Sequence, residues 1–337
     1  MLAITATFSR GAFGYGGYVS VGPAPVSPET PPSGDPRTDA GVPVSPELFA
    51  PVSSGMVLCY QTYGDPDDEP LLLVMGLATQ MTFWDPDFCA MLARGGYYVI
   101  RFDNRDVGRS SRARGKVTRR MLVEAFAGRK TKAPYSLDDL ADDAFGLLDH
   151  LGIGSAHIVG VSMGGMIVQT MALEAPARVR SLTSIMSTTG KRSVGWLHPQ
   201  LVPSLLRPIK PGREAYADSS VRMWRMIGSP GFPRHEERTR ELAGEAFDRG
   251  VSASGALRQM LAILTQPNRS PALRRLRMPT LVVHGLADRM VHVSGGRATA
   301  AAIPGAELLL VDGMGHDLPP ELYDTLVDAI ARTTARA

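Results

Sequence analysis

HIVGVSMGGMIVQTMALEAP, from His157 to Pro176, decides the fold. Its first half is a short run of β-formers and its second half has helical spacing, so the segment reads as a strand running directly into a helix. At the junction lies Gly160-Val161-Ser162-Met163-Gly164, a GxSxG pattern. A serine held in a tight, strained turn tolerates only small residues two positions before and two after it, here Gly160 and Gly164. A bare GxSxG recurs by chance. Its placement between strand and helix, with Gly165 as a further small residue, favours a nucleophile. Ser162 is then presented at the carboxyl end of the strand, beside the positive end of the following helix.

The same alternation extends outward. Val57 to Gly64, Leu71 to Gly76, Tyr97 to Asp103, Ser181 to Ser187, Thr280 to Gly285 and Glu307 to Gly313 read as further strands. Between them FCAMLARGG, LDDLADDAFGLLDHLGI and GRATAAAIPG carry helical spacing with Gly at the exits. Continuously apolar strands alternating with helices predict a mostly parallel sheet covered on both faces, an α/β fold. The alternation breaks between about Gly190 and Ser270, where helical patterns interrupted by prolines predict an inserted helical cap, residues 190–270. The core is thereby divided into residues 52–189 and 271–337. Residues 1–51 hold nine Pro and seven Gly, a composition that predicts a disordered tail.

A serine hydroxyl needs a base to take its proton, and the base needs an acid to fix its tautomer. In this order of elements the acid and the histidine are expected after the serine, in loops at the carboxyl ends of later strands. TLVVHGLADRMV places Asp288 after one strand, and ELLLVDGMGHDLPP places His316 after the next, flanked by Gly313 and Gly315. Asp317 and Asp312 are weaker rivals for the acid, and His284 and His292 for the base. His157 opens the strand that ends at Ser162, so it sits about 16 Å from the hydroxyl at strand rise and is read as structural. For the oxyanion, the backbone N–H groups of Met163 and of Leu77, which follows Gly76, are the expected donors.

Two charged stretches invite other readings. DNRDVGRSSR (Asp103 to Arg112) is expected to be a hydrogen-bonded turn, its arginines available to orient an acidic substrate. LDDLADD (Leu137 to Asp143) is expected to be a solvated helix face rather than a metal site. Met75, Met81, Met163 and Met166 fall near the elbow in sequence and suit either an adaptable apolar pocket or ordinary core packing.

Composition narrows the function class. The 337 residues carry 36 Lys plus Arg against 33 Asp plus Glu, and a surplus of +3 does not call for nucleic acid or an anionic membrane as partner. The two cysteines, Cys59 and Cys89, are too few for a disulfide scaffold or a zinc cluster. The apolar runs fall short of a membrane span, and residues 1–30 lack a convincing secretory signal, so a small-molecule substrate and a cytoplasmic location are expected. The sequence leaves the oligomeric state open.

LLLVMGLATQMTFWDPDF, VIRFDNRDVGRSSR, HIVGVSMGGMIVQ, LVVHGLADRMV and GMGHDLP together resemble the α/β-hydrolase superfamily from about Pro51 to the C-terminus. The MG before Leu77 and the RFDNRDVGRS loop are most similar to the aclacinomycin methylesterase type and to bacterial carboxylesterases. The resemblance implies an eight-stranded, mostly parallel sheet with an inserted helical cap, with Ser162 as nucleophile, Asp288 as acid and His316 as base. It also implies cleavage of a lipophilic or polyketide-like carboxylic ester through an acyl-enzyme, with no metal or organic cofactor. The same residue types serve carbon-carbon bond hydrolysis and perhydrolysis, and a scaffold that only binds a ligand or guides a cyclisation would keep them too.

Overall fold

The computed structural model describes residues 38–39, 41–201 and 211–337. Its centre is an eight-stranded sheet made of β1 (Leu48–Pro51), β2 (Val57–Tyr63), β3 (Glu69–Val74), β4 (Tyr97–Phe102), β5 (Ala156–Val161), β6 (Val179–Ile185), β7 (Thr280–Gly285) and β8 (Glu307–Val311). The spatial order is β1-β2-β4-β3-β5-β6-β7-β8. Strands β1, β2 and β4 pair antiparallel, and every pairing from β4 to β8 is parallel. The reversal of order at β3 puts the ends of β3 and β5 side by side.

All seven strands expected from the sequence are present, and an eighth, β1, lies inside the stretch read as tail. The boundary at Pro51 is therefore too late: Ala50 is fully buried and β1 pairs with β2 in register. Prolines at 43, 46 and 51 hide this strand in the sequence, yet an edge strand accommodates proline because one side of its backbone needs no partner. Most of the expected tail, residues 1–37 together with residue 40, lies outside the described residues.

Burial of both sheet faces follows from the period of two along β3. Leu72 and Val74 face a layer formed by α3 (Leu137–His150) and α4 (Met163–Glu174), with Leu140, Leu147, Ile167 and Met171. Leu71 and Leu73 face the opposite layer, where α1 (Pro86–Arg94) and the C-terminal helix (Tyr323–Thr334) supply Leu92, Leu326 and Ile330. Each such leucine contributes roughly 1.5–3 kcal/mol on burial. Helix α3 starts in a capping box in which Ser136 and Asp139 satisfy each other's backbone N–H groups.

The acids of α3 are not all on a solvated face, as the sequence reading held. Asp138 and Asp142 are exposed, but Asp143 is buried and forms a two-pronged pair with Arg105, at 2.5 and 2.7 Å. The period of the helix turns Asp143 inward, and Arg105 from the loop after β4 meets it there. Arg105 is consequently committed to the core and is not available to orient an acidic substrate.

Between β6 and β7 the chain adds α5 (Arg213–Ile227), α6 (Glu236–Arg249) and α7 (Ala253–Thr265). Helix α7 packs its Met260 and Leu261 against Leu122 and Ala125 of α2 (Arg119–Phe126), a helix the sequence reading did not include. Buried arginines fasten the insertion to the sheet domain. From α6, Arg249 reaches Asp103, Glu47 and Gln80; from α7, Arg258 grips both oxygens of Asp106 at 2.6 and 2.8 Å. Among the described residues no helix is long and apolar enough to cross a membrane.

Removing one partner of a buried ion pair leaves an uncompensated charge, at a cost of about 3–5 kcal/mol. Arg258→Met should lower the unfolding free energy by about that amount, measured by urea denaturation. A change below about 1 kcal/mol, the worth of an exposed pair, would show that the pair does not hold the insertion in place.

Candidate active site

The turn between β5 and α4 is built as the sequence pattern requires. Ser162 has φ +58° and ψ −116°, in the region disfavoured for residues with a Cβ. A Cβ on Gly160 would stand 2.2 Å from the Gly164 carbonyl oxygen, and one on Gly164 would stand 2.0 Å from that of Val74. The turn is tied on both sides, since the Ser162 N–H donates to the Ile185 carbonyl at 2.9 Å and the Ser187 hydroxyl donates to the Ser162 carbonyl at 2.7 Å. These bonds and the close-packed glycines hold a backbone conformation that the residue would not adopt alone.

Two loops meet at Ser162. His316, after β8, places Nε2 at 2.9 Å from Ser162 Oγ, and its Nδ1 lies 2.8 Å from Asp288 Oδ2 in the loop after β7. A carboxylate only accepts, so His316 Nδ1 carries the hydrogen and Nε2 is left to accept from the serine hydroxyl. Asp288 Oδ1 accepts from the N–H groups of Met290 and Val291 at 2.8 and 2.9 Å. Burial opposes its ionisation, but the electrostatic attraction of His316 and His284 and the hydrogen bonds from both rings outweigh this and hold the carboxyl well below the usual range.

The sequence-level rivals are engaged elsewhere. His284 stands behind the acid, its Nε2 donating to the Val291 carbonyl at 2.8 Å and lying 3.4 Å from Asp288 Oδ2. His292 stacks on Trp196 with ring centroids 4.1 Å apart and pairs with Ser294. His157 is buried and bonds Ser181, in keeping with its structural reading. Asp317 accepts from the Ser229 hydroxyl, and Asp312 accepts from the N–H of Gly313. The charged loop from Asp103 to Arg112 is a hydrogen-bonded turn: Asp103 accepts from the N–H groups of Met81 and Arg109, and Asn104 donates to the Met75 carbonyl.

A Cβ on Gly76 would lie 3.2 Å from Ser162 Cβ and 3.7 Å from Oγ, so the backbone entering Leu77 runs directly beside the hydroxyl. Among the described residues the Leu77 N–H has no hydrogen-bond partner. Met163 is the first residue of α4, where an N–H has no acceptor within its own helix. Two donors without partners thus flank Ser162. Met75, Met81, Met163 and Met166 are all buried, and Met163 and Met166 belong to the core between the sheet and α3. Core packing accounts for them.

Sequence reasoning missed the contacts that seat the histidine loop on the inserted helices. The His316 N–H donates to the Ile227 carbonyl at the end of α5 at 2.7 Å, and the Gly315 N–H donates to Ser229 Oγ at 2.8 Å. Gly231 donates to the Gly313 carbonyl. These partners are more than eighty residues away along the chain and carry no local signal.

A family model described as "alpha/beta hydrolase fold" matches residues 69–321. The chain belongs to the α/β-hydrolase family. Among curated relatives, this hydrolase-family chain is 33% identical over 304 residues to "Rhodomycin D methylesterase DauP" of Streptomyces sp. (strain C5), covering 81% of this chain and 93% of that protein. It is 32% identical over 298 residues to "Rhodomycin D methylesterase DnrP" of Streptomyces peucetius, with the same coverage of both chains. Among solved structures, the enol-lactonase from Burkholderia xenovorans LB400 shares the hydrolase fold, with a TM-score of 0.66 and 23% identity over 86% of this chain and all of that one.

Two outcomes test the geometry. Gly164→Ala should yield little soluble folded protein, because its methyl group meets the backbone of β3 rather than a flexible side chain; a well-folded variant with an unchanged melting temperature would contradict the packing. Because the folded-state carboxyl of Asp288 is depressed, its stabilisation is fully present above the ordinary value of 3.8 and fades as pH falls below it. The stability gap between the parent protein and Asp288→Asn should therefore be largest near neutrality and shrink in urea titrations at pH 3. A gap that widens in acid would reverse the sign and refute the argument.

Proposed function

We propose that this protein is a serine hydrolase that cleaves a carboxylic ester, with Ser162 as nucleophile, His316 as base and then acid, and Asp288 as the group that orients the imidazole and stabilises it when it is protonated. The observation that carries this reading is the unbroken line of contacts from Ser162 Oγ through His316 to Asp288, mounted on the strained turn. Ser162 attacks the ester carbonyl while His316 Nε2 takes its proton. The carbonyl oxygen, now charged, receives the N–H groups of Leu77 and Met163, and His316 protonates the departing alcohol. Water, deprotonated by His316, then attacks the acyl-enzyme and releases the acid.

The substrate we infer is the methyl ester of a bulky lipophilic acid of polyketide type. The names of the two rhodomycin D methylesterases support it. So does the apolar cluster beside the histidine loop, where half-buried Met223, Trp224, Met226 and Met290 gather around Ile227, whose carbonyl holds His316. Thioether and indole surfaces suit a flat, largely apolar ring system. We assign residues 190–270 to a cap beside the catalytic serine, a segment whose size suits an acyl group larger than acetate.

The test pairs labelling with turnover. Incubation with a fluorophosphonate followed by peptide mapping should give one adduct, on Ser162. Ser162→Ala should keep its melting temperature and lose at least about a thousandfold in kcat, since oxyanion donors and binding alone leave only a residual rate. Methyl esters of polycyclic aromatic acids should be hydrolysed with higher kcat/KM than nitrophenyl acetate corrected for its better leaving group. Full activity in Ser162→Ala would refute the nucleophile, and a preference for small acetates would refute the substrate class.

A further inference from the structure

We propose that Gln259, on helix α7 of the inserted segment, is a positioning residue that aims the Leu77 N–H at the ester carbonyl oxygen. The inference rests on the ester-hydrolase reading above and assigns a further residue to it. Gln259 is fully buried and uses both ends of its carboxamide. Its Oε1 accepts from the Ala78 N–H at 2.8 Å and its Nε2 donates to the Arg105 carbonyl at 3.0 Å. An N–H only donates and a carbonyl only accepts, so the two partners fix which way the carboxamide faces.

The loop beyond β3 needs such a tether. Ala78 has φ +54°, a left-handed conformation disfavoured for a residue with a Cβ, so the turn is not self-sustaining. Within the turn, the Thr79 N–H donates to the Gly76 carbonyl at 3.3 Å and the Thr79 hydroxyl donates to the Leu77 carbonyl at 3.0 Å. The peptide group is planar and trans, so holding the Gly76 carbonyl on one side points the Leu77 N–H of the same plane to the other. The next peptide, Leu77 to Ala78, is held at its carbonyl by Thr79 and at its N–H by Gln259. Gln259 is the hydrogen bond to this peptide that comes from outside the turn.

Each end of the tether is itself anchored. Arg105 is locked by its buried pair with Asp143, and α7 is gripped one residue before Gln259 by the pair between Arg258 and Asp106. One residue after Gln259, Met260 belongs to the apolar cluster on which the Leu77 side chain packs. Helix α7 therefore sets the position of the oxyanion donor by side-chain packing and by a hydrogen bond to the adjacent amide. The inserted helices act on the chemistry itself as well as on access to it.

The test uses the full-length protein with a short nitrophenyl ester and with a trifluoromethyl ketone, which forms a tetrahedral oxyanion adduct on a serine. Gln259→Leu removes both hydrogen bonds at similar volume. It should fold, keep KM within about threefold, and lose about a hundredfold in kcat, the scale of one missing oxyanion donor. Affinity for the ketone should fall by a similar factor. Gln259→Glu keeps an acceptor for the Ala78 N–H and should be at least about tenfold more active than the leucine variant. Should the leucine variant not fold, Gln259→Asn, whose carboxamide is one carbon short, takes its place against Gln259→Glu with the same expected ordering.

Near-parental kcat and ketone affinity in the leucine or asparagine variant would overturn the proposal. A loss confined to KM would also overturn it, by marking Gln259 as a binding contact. A parent protein that reacts with neither ester nor fluorophosphonate would sink the hydrolase reading and this inference with it. An active parent with an inert Ser162→Ala and unaffected Gln259 variants would sink this inference alone.

Discussion

The left-handed backbone at Ser162 is the constraint on which the rest of the structure depends. Holding one serine in that conformation requires two strand ends, a helix start and the Val74 carbonyl to crowd within van der Waals range, and only glycine at 160 and 164 permits it. The crossing of the sheet order between β3 and β5 brings these pieces together. In return, the conformation lifts the hydroxyl out of the helix and leaves the N–H of Met163 without an intrahelical acceptor. Strain at this one residue is sustained by the buried strand residues around it, whose apolar contacts fix the backbone on both sides.

A second dependence runs from the inserted helices to the site. The histidine loop hangs on the end of α5 through the bond from His316 to Ile227, and the turn at Leu77 and Ala78 hangs on α7 through Gln259. Both helices belong to a segment fastened by buried arginines, Arg249 to Asp103 and Arg258 to Asp106. Buried pairs of this kind contribute less through net stability than through the cost of any arrangement that separates them. They suit a segment whose position must be the same at every encounter with a ligand. Two carboxylates of the loop after β4, Asp103 and Asp106, are consumed in this fastening.

The electrostatic layout around Ser162 follows one direction. Asp288 is kept ionised by His316, by His284 and by two backbone N–H groups, so a negative charge lies on the far side of the imidazole. On the near side, the Leu77 and Met163 N–H groups present positive ends. In the reaction we propose, a proton moving from Ser162 to His316 goes toward the carboxylate, and the negative charge that develops on an ester oxygen goes toward the donors. Each displacement of charge meets a fixed partner, so little reorganisation is needed as it occurs.

Much of this was legible in the sequence because it depends on local pattern. The strand-to-helix junction around Ser162, the period of two in β3 and the loops that carry Asp288 and His316 are properties of short segments, and they place seven of the eight strands and the three side chains that meet. Strand β1 was hidden by its prolines, and the inward turn of Asp143 by its acidic neighbours, since composition averages over residues whose environments differ. Only the tertiary structure could decide which arginine meets which carboxylate, why His284 stands behind the acid rather than beside the serine, and that Gln259 holds the amide next to Leu77. Those choices join residues up to 202 positions apart, and the physical reason they escape the sequence is that a hydrogen bond depends on distance and direction in space, which chain separation does not encode.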